Sequence, residues 1–166
     1  CHAGYGWEEG RETQQANPEN VDCLACHADP GAYGKGTFGN PADGIDLLAA
    51  ARSVRTPSRE NCGKCHFDGG GGNGVKHGDL DESLYFPSEN NDVHMGGENN
   101  MQCVDCHWTE DHQILGRMIA DNYTIDPKEQ VSCEQCHVNQ KHEDERINTR
   151  LSPVACQTSH IPALAL

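Results

Sequence analysis

Four times the chain writes Cys-x-x-Cys-His: "CLACH" (Cys23 to His27), "CGKCH" (Cys62 to His66), "CVDCH" (Cys103 to His107) and "CEQCH" (Cys133 to His137). A fifth copy, "CQTSH", begins at Cys156 and has Ser159 at the second cysteine position. On one helical turn, cysteines three residues apart share a face. Both can then form thioethers to the vinyl groups of one haem while the following histidine takes the iron, which is the attachment signature of haem c. Zinc sites also use Cys-x-x-Cys pairs, but they leave a histidine after every pair unexplained. Disulfide staples leave it unexplained as well. The expected cofactor is therefore haem c, at least four copies and up to six, held by Cys23, Cys26, Cys62, Cys65, Cys103, Cys106, Cys133 and Cys136.

Iron needs axial ligands, and the histidines divide accordingly. His27, His66, His107 and His137 close the intact motifs and are the expected proximal ligands. His2 and His160 stand in partial motifs with Cys1 and Cys156. His77, His94, His112 and His142 fall between or after the motifs and suffice as sixth ligands for four irons. Met95, Met101 and Met118 could ligate instead, but packing against porphyrin is the more ordinary role for a methionine. Crowded bis-histidine haems make electron transfer the expected activity, with redox proteins as partners.

The surrounding chain must position these groups with little help from its own side chains. Of 166 residues only 35% are hydrophobic and 5% aromatic, while glycine appears 18 times. The haems are expected to form the core. The reading is of a single multihaem segment over residues 1–166, mostly α with long irregular loops and few or no strands. Loop-forming stretches lie at residues 28–44, 67–74 and 86–100, the second holding four successive glycines, Gly69 to Gly72. Helical spacing occurs in "IDLLAAARSV" (45–54), with Asp43 as a candidate cap, and in "TEDHQILGRMIADN" (109–122), weakened by Gly116. A formal charge of -14 argues against nucleic acid and anionic membrane surfaces as partners. No apolar run approaches the roughly 20 residues of a membrane span. Covalent haem attachment takes place outside the cytoplasm, so a periplasmic or extracellular location is expected.

The connecting segments carry a resemblance. "CHAGYGW", "NVDCLACH", "RENCGKCHFDGGGGNGVKHGDLD", "DVHMGG", "CVDCHWTEDHQILG" and "VACQTSHIP" together resemble the octahaem tetrathionate reductase family, relatives of hydroxylamine oxidoreductase and pentahaem nitrite reductase. The likeness implies a helical, haem-packed fold in which one haem is catalytic and the others relay electrons. It also implies that Cys1-His2 is the end of a sixth motif and the chain an internal segment of a longer protein, the rival reading being a lipidated Cys1. Family members read Cys-x-x-Cys-His-Ile-Pro where this chain has Cys156, Ser159, His160, Ile161 and Pro162. In the family a lysine ligates the catalytic haem; the matching residue is Lys76, and the haem would be that of Cys1-His2. Asn73 and Arg150 replace an acidic residue and a histidine of the family pattern. The implied activity is an oxidoreductase acting on a small sulfur or nitrogen oxyanion, against the alternative of a pure electron carrier. A chain with two incomplete haem sites could complete them in a homo-oligomer.

Overall fold

A computed structural model describes residues 3–6, 18–67, 80–116, 131–138, 142–150, 153–154 and 156–160. Its helices are short: α1 (Cys23–His27), α2 (Leu47–Arg52), α3 (Arg59–His66), α4 (Cys103–Cys106), α5 (Glu145–Asn148) and α6 (Gln157–His160). Single 3-10 turns cover Pro18–Asn20, Thr37–Gly39, Glu82–Tyr85 and Cys133–Gln135. Thr109–Glu110 (β1) and Gln113–Ile114 (β2) pair antiparallel as the one small sheet among the described residues. The fold is thus mostly helical with long loops, as the resemblance implies. Described residues up to Cys103 form one compact unit, and those from Val104 onward a second.

In the first unit the elements that carry haem motifs are fixed by polar contacts. Asp22 caps α1, its carboxylate accepting from the Leu24 amide at 3.0 Å. Ser58 and Asn61 form a capping box on α3, and the Asn61 amide donates to the Ala28 carbonyl at 2.8 Å, tying α3 to the end of α1. Lys64 donates to the carbonyls of Pro30 and Tyr33 at 2.7 and 2.8 Å. Phe67 packs edge-on to Tyr85, with centroids 4.7 Å apart. Gly63, inside the CGKCH motif, makes that packing possible, because a Cβ there would come within 2.6 Å of the Phe67 ring.

Two local expectations are corrected. The cap of α2 is Asp46, whose carboxylate accepts from Leu48 and Ala49 at 3.0 Å, rather than Asp43. Asp46 stands directly before the first helical residue, where its side chain reaches the open amides of the first turn. The segment from Thr109 is a hairpin, not the start of a helix. Asp111 and His112 at its tip both have positive φ, 48° and 61°, as a tight primed turn requires. Residues 117–122 of that stretch lie outside the described residues.

The interior is sparse. Among the described residues the buried apolar side chains are Ala28, Tyr33, Ala50, Phe67 and Leu115, and none is large and fully enclosed. Large apolar groups face outward instead: Phe86 is 86% exposed, Val138 63% and Leu48 59%. No helix among the described residues is long and apolar enough to cross a membrane.

Candidate functional site

Each described motif folds as the single turn that its chemistry requires. CLACH and CVDC are α-helical turns, CGKCH ends the longer α3, and CEQ is a 3-10 turn. The incomplete copy behaves likewise: the Ser159 and His160 amides donate to the Cys156 carbonyl at 3.1 and 3.0 Å, and Gln157–His160 is helical. Replacement of a cysteine by Ser159 therefore leaves the backbone of the motif intact. Cys23, Cys26, Cys62, Cys133, Cys136 and Cys156 carry unbridged thiols. Cys1, His2, Lys76 and His77 lie outside the described residues, as does Met118.

Two motif histidines have a defined tautomer. His27 Nδ1 is 3.0 Å from the Arg55 carbonyl, and the Arg55 amide returns a 2.9 Å bond to the His27 carbonyl. His107 Nδ1 is 2.8 Å from the Leu115 carbonyl. A carbonyl can only accept, so Nδ1 donates in each, and in the neutral ring Nε2 is then the nitrogen with the lone pair that a metal needs. The hairpin positions Leu115, whose amide bonds to the Trp108 carbonyl at 3.0 Å. Gly116, at φ 76°, keeps the space beside the ring open; a Cβ there would lie 2.9 Å from His107 Nδ1. His66, His94, His112 and His137 are exposed, placed by α3, the 88–101 loop, the hairpin tip and the end of the fourth motif.

The second unit brings two histidines together that are 18 residues apart. His142 Nε2 and His160 Nε2 face each other at 3.3 Å, the rings inclined by 20°. The His142 backbone is pinned by reciprocal 2.8 Å bonds with the Asn148 side chain. Two such nitrogens need a proton or a cation between them. Metal–imidazole bonds run about 2.0–2.1 Å, so ligands on opposite sides of one ion stand about 4 Å apart. The pair is close to that spacing.

The donor set tests the cofactor. Among the described residues no three His, Cys, Asp or Glu side chains converge, so the tetrahedral set of a bare zinc ion is not assembled there. Two imidazoles are enough when the metal arrives already held by a macrocycle. Outward-facing apolar side chains supply the other requirement, a surface for a large apolar ring. The residues fit haem.

Cysteines from different motifs also meet. Cys62 and Cys103 share a hydrogen bond, which with burial and the Cys103 charge holds the Cys62 thiol far above its ordinary pKa. Cys133 is raised by burial and by Cys156, with which it also hydrogen-bonds. Cys156 lies 4.0 Å from the Glu134 carboxylate. Spacing along the chain gives no sign of these pairings.

Sequence reasoning missed Asp22, although an Asp immediately before a helical turn is a recognisable cap. Its buried carboxylate accepts from Lys35 Nζ at 2.6 Å and from the Tyr33 hydroxyl. Burial pushes its pKa up, but the bonds from Lys35, Tyr33 and Leu24 and the Lys35 charge outweigh burial and hold it below the usual value. Burial and the Asp22 carboxylate push the Tyr33 phenol well up. A carboxyl lowered on folding stabilises the protein above its unfolded pKa, about 3.9, and that contribution is lost as pH falls through the folded value. Asp22→Asn should cost roughly 1–3 kcal/mol at neutral pH and flatten the acid limb below about pH 4. Denaturant unfolding of the haem-loaded protein at pH 7 and pH 3 measures both; equal loss at the two pH values would exclude the ionised carboxylate as the cause.

Comparison with known proteins agrees with this geometry. The profile of the family "cytochrome c554 and c-prime" matches residues 62–138. An uncharacterised protein of Archaeoglobus fulgidus is 29% identical over 134 residues, covering 69% of this chain and 44% of its own length. The crystal structure of an octahaem cytochrome c from Shewanella oneidensis superimposes with a TM-score of 0.74 at 44% identity, over 98% of this chain and 36% of that one. The chain thus spans less than half the length of either relative.

Proposed function

We propose that this chain, which is similar over 98% of its length to part of an octahaem cytochrome c and matches the cytochrome c554 and c-prime family over residues 62–138, relays electrons along a row of closely packed haems held by the residues described above. Bound haem supplies a redox-active iron and the apolar surface that the polypeptide lacks. The motif cysteines form the thioethers. His27, His66, His107, His137 and His160 provide proximal nitrogens, with His77, His94, His112 and His142 as the second set. The observation that carries the relay is the contact of cysteines from different motifs, Cys62 with Cys103 and Cys133 with Cys156. Cofactors fixed at those cysteines are necessarily neighbours. Rapid reduction by a soluble electron donor should fill all irons at one common rate; separate slow phases for each haem would oppose the relay.

In this reading His142 and His160 share one iron, at the motif where Ser159 removes a thioether; their facing Nε2 atoms, 3.3 Å apart, support the pairing. Cys156 then makes the single covalent link. Ser159→Cys should add a second link and raise resistance to denaturant without altering the iron spectrum. His142→Ala should turn one low-spin haem high-spin. A tryptic peptide carrying unmodified Cys156, together with no spectral change in His142→Ala, would leave that motif without haem.

The finer reading adds a substrate. Lys76 ligates the haem of Cys1-His2 and leaves one face for a small sulfur or nitrogen oxyanion such as tetrathionate or nitrite. The similarity to the octahaem cytochrome and the "GGGGNGVKHGDLD" segment support it. Attachment chemistry places the mature protein in the periplasm or outside the cell, where redox proteins are its partners.

A further inference from the structure

His94, one of the second set of axial ligands above, is exposed and stands in the loop over residues 88–101. A ligand must be held within about 0.5 Å of its productive place, and a loop reaches that precision only when other groups lock it. Part of the lock is local. The Asp92 carboxylate accepts from the His94 and Met95 amides at 2.8 Å each. The Asn99 side chain donates to the Val93 carbonyl at 2.7 Å, and the Met101 amide to the His94 carbonyl at 3.0 Å. Gly96 lets the chain close on itself, since a Cβ there would lie 2.5 Å from the Ser88 carbonyl.

These bonds shape the loop; Arg59 attaches it to α3. Arg59 is the first residue of that helix and only 5% exposed. Its Nη2 donates to the Met95 carbonyl at 3.1 Å, the Asn100 side-chain oxygen at 2.9 Å and the Met101 carbonyl at 2.7 Å. One nitrogen thus bridges both ends of the turn that presents His94. The Arg59 amide, an open donor at the start of a helix, is taken by the Gln102 side chain at 3.0 Å, which in turn donates to the Asn100 carbonyl at 3.0 Å. Nε is buried and has no hydrogen-bond partner. Taking a guanidinium out of water is costly and it cannot shed its proton; the bonds that offset this cost close on the His94 loop.

The same residue fixes the loop relative to two attachment motifs. α3 runs from Arg59 to His66 and contains Cys62 and Cys65, while Met101 and Gln102 lead directly into Cys103. His94 therefore takes its place from a buried side chain rather than from the stiffness of its own loop.

We propose that Arg59 is a positioning residue, which keeps His94 on its iron by clamping the 88–101 loop to α3. The inference rests on the reading that His94 is an axial ligand, and carbon monoxide uptake by the fully loaded, reduced chain tests the two separately. A displaced histidine leaves a ferrous iron open to this gas. His94→Ala should raise uptake by one equivalent per chain over the parent; no rise would remove the ligand and the proposal with it. Given that rise, Arg59→Met should open the same haem in part, with loss of its low-spin spectrum. Arg59→Met combined with His94→Ala should then take up no more than His94→Ala alone. Arg59→Lys, whose ammonium can still donate to the loop carbonyls, should restore most of the low-spin signal. A merely structural role would lower resistance to denaturant and leave uptake at the parent level, and that result in Arg59→Met overturns the proposal. Should Arg59→Met not load with haem, Asn100→Gly removes one acceptor while keeping the backbone that Asn100 adopts at φ 43°. Its uptake should exceed that of the parent, and equal uptake would refute the clamp.

Discussion

Chain produced without haem-attachment machinery will show no cooperative unfolding transition and little helical signal, whereas the matured protein will unfold in a single steep step or several. The expectation rests on the interior. Ala28, Tyr33, Ala50, Phe67 and Leu115 are the buried apolar side chains among the described residues, and two of the five are alanine. Ordering a residue costs about 1–2 kcal/mol in backbone entropy alone, far more in total than so few side chains return at about 1.5–3 kcal/mol each for the larger ones. Phe86, Leu48 and Val138 gain nothing while they face water. With haem the same side chains have an apolar partner, and binding free energy becomes folding free energy, as it does in small metal-dependent domains. Mass spectrometry of the matured chain should exceed 18.1 kDa by four or more haems of roughly 0.6 kDa each. A haem-free polypeptide that melts cooperatively would show that the side chains suffice.

Lys76→Ala will abolish reduction of nitrite or hydroxylamine and change the spin state of one haem, while the remaining haems still accept electrons. An amine binds iron only when deprotonated, which for lysine requires burial or a neighbouring positive charge to bring the pKa down. A lysine ligand on one side of an iron, with the other side open, gives a substrate a place that two histidines would deny it. His77 is the control. Adjacent side chains diverge, so His77→Ala should disturb a low-spin relay haem and slow electron delivery without creating the spectral change of the lysine variant. Undiminished substrate reduction by Lys76→Ala would refute the role of the lysine, and a parent that reduces neither substrate, with every haem low-spin, would be the pure electron carrier instead.

How far the chain could be read before its fold was known differs from one residue to the next. The Cys-x-x-Cys-His turns are legible because all their chemistry is local: two thiols and an imidazole on consecutive positions of one turn need no distant partner. Low apolar content likewise announces a core made of something other than side chains. Expectations failed where local spacing was ambiguous. Residues 109–116 have helix-like periodicity, but Asp111 and His112 adopt positive φ and close a hairpin whose next residue, Leu115, orients His107. Asp43 and Asp46 are both plausible caps, and only the observed bonds to Leu48 and Ala49 decide for Asp46.

By itself the sequence determined the cofactor type, the attachment residues to be expected and the need for an external core. Tertiary structure alone decided that the Arg55 and Leu115 carbonyls hold the rings of His27 and His107, that His142 faces His160, that Cys62 meets Cys103, and that Arg59 is buried with no hydrogen-bond partner for its Nε. The physical reason is that the first set depends on residue types a few positions apart. The second depends on where loops of uneven length return, and backbone carbonyls and unpartnered nitrogens leave no mark in the order of the residues.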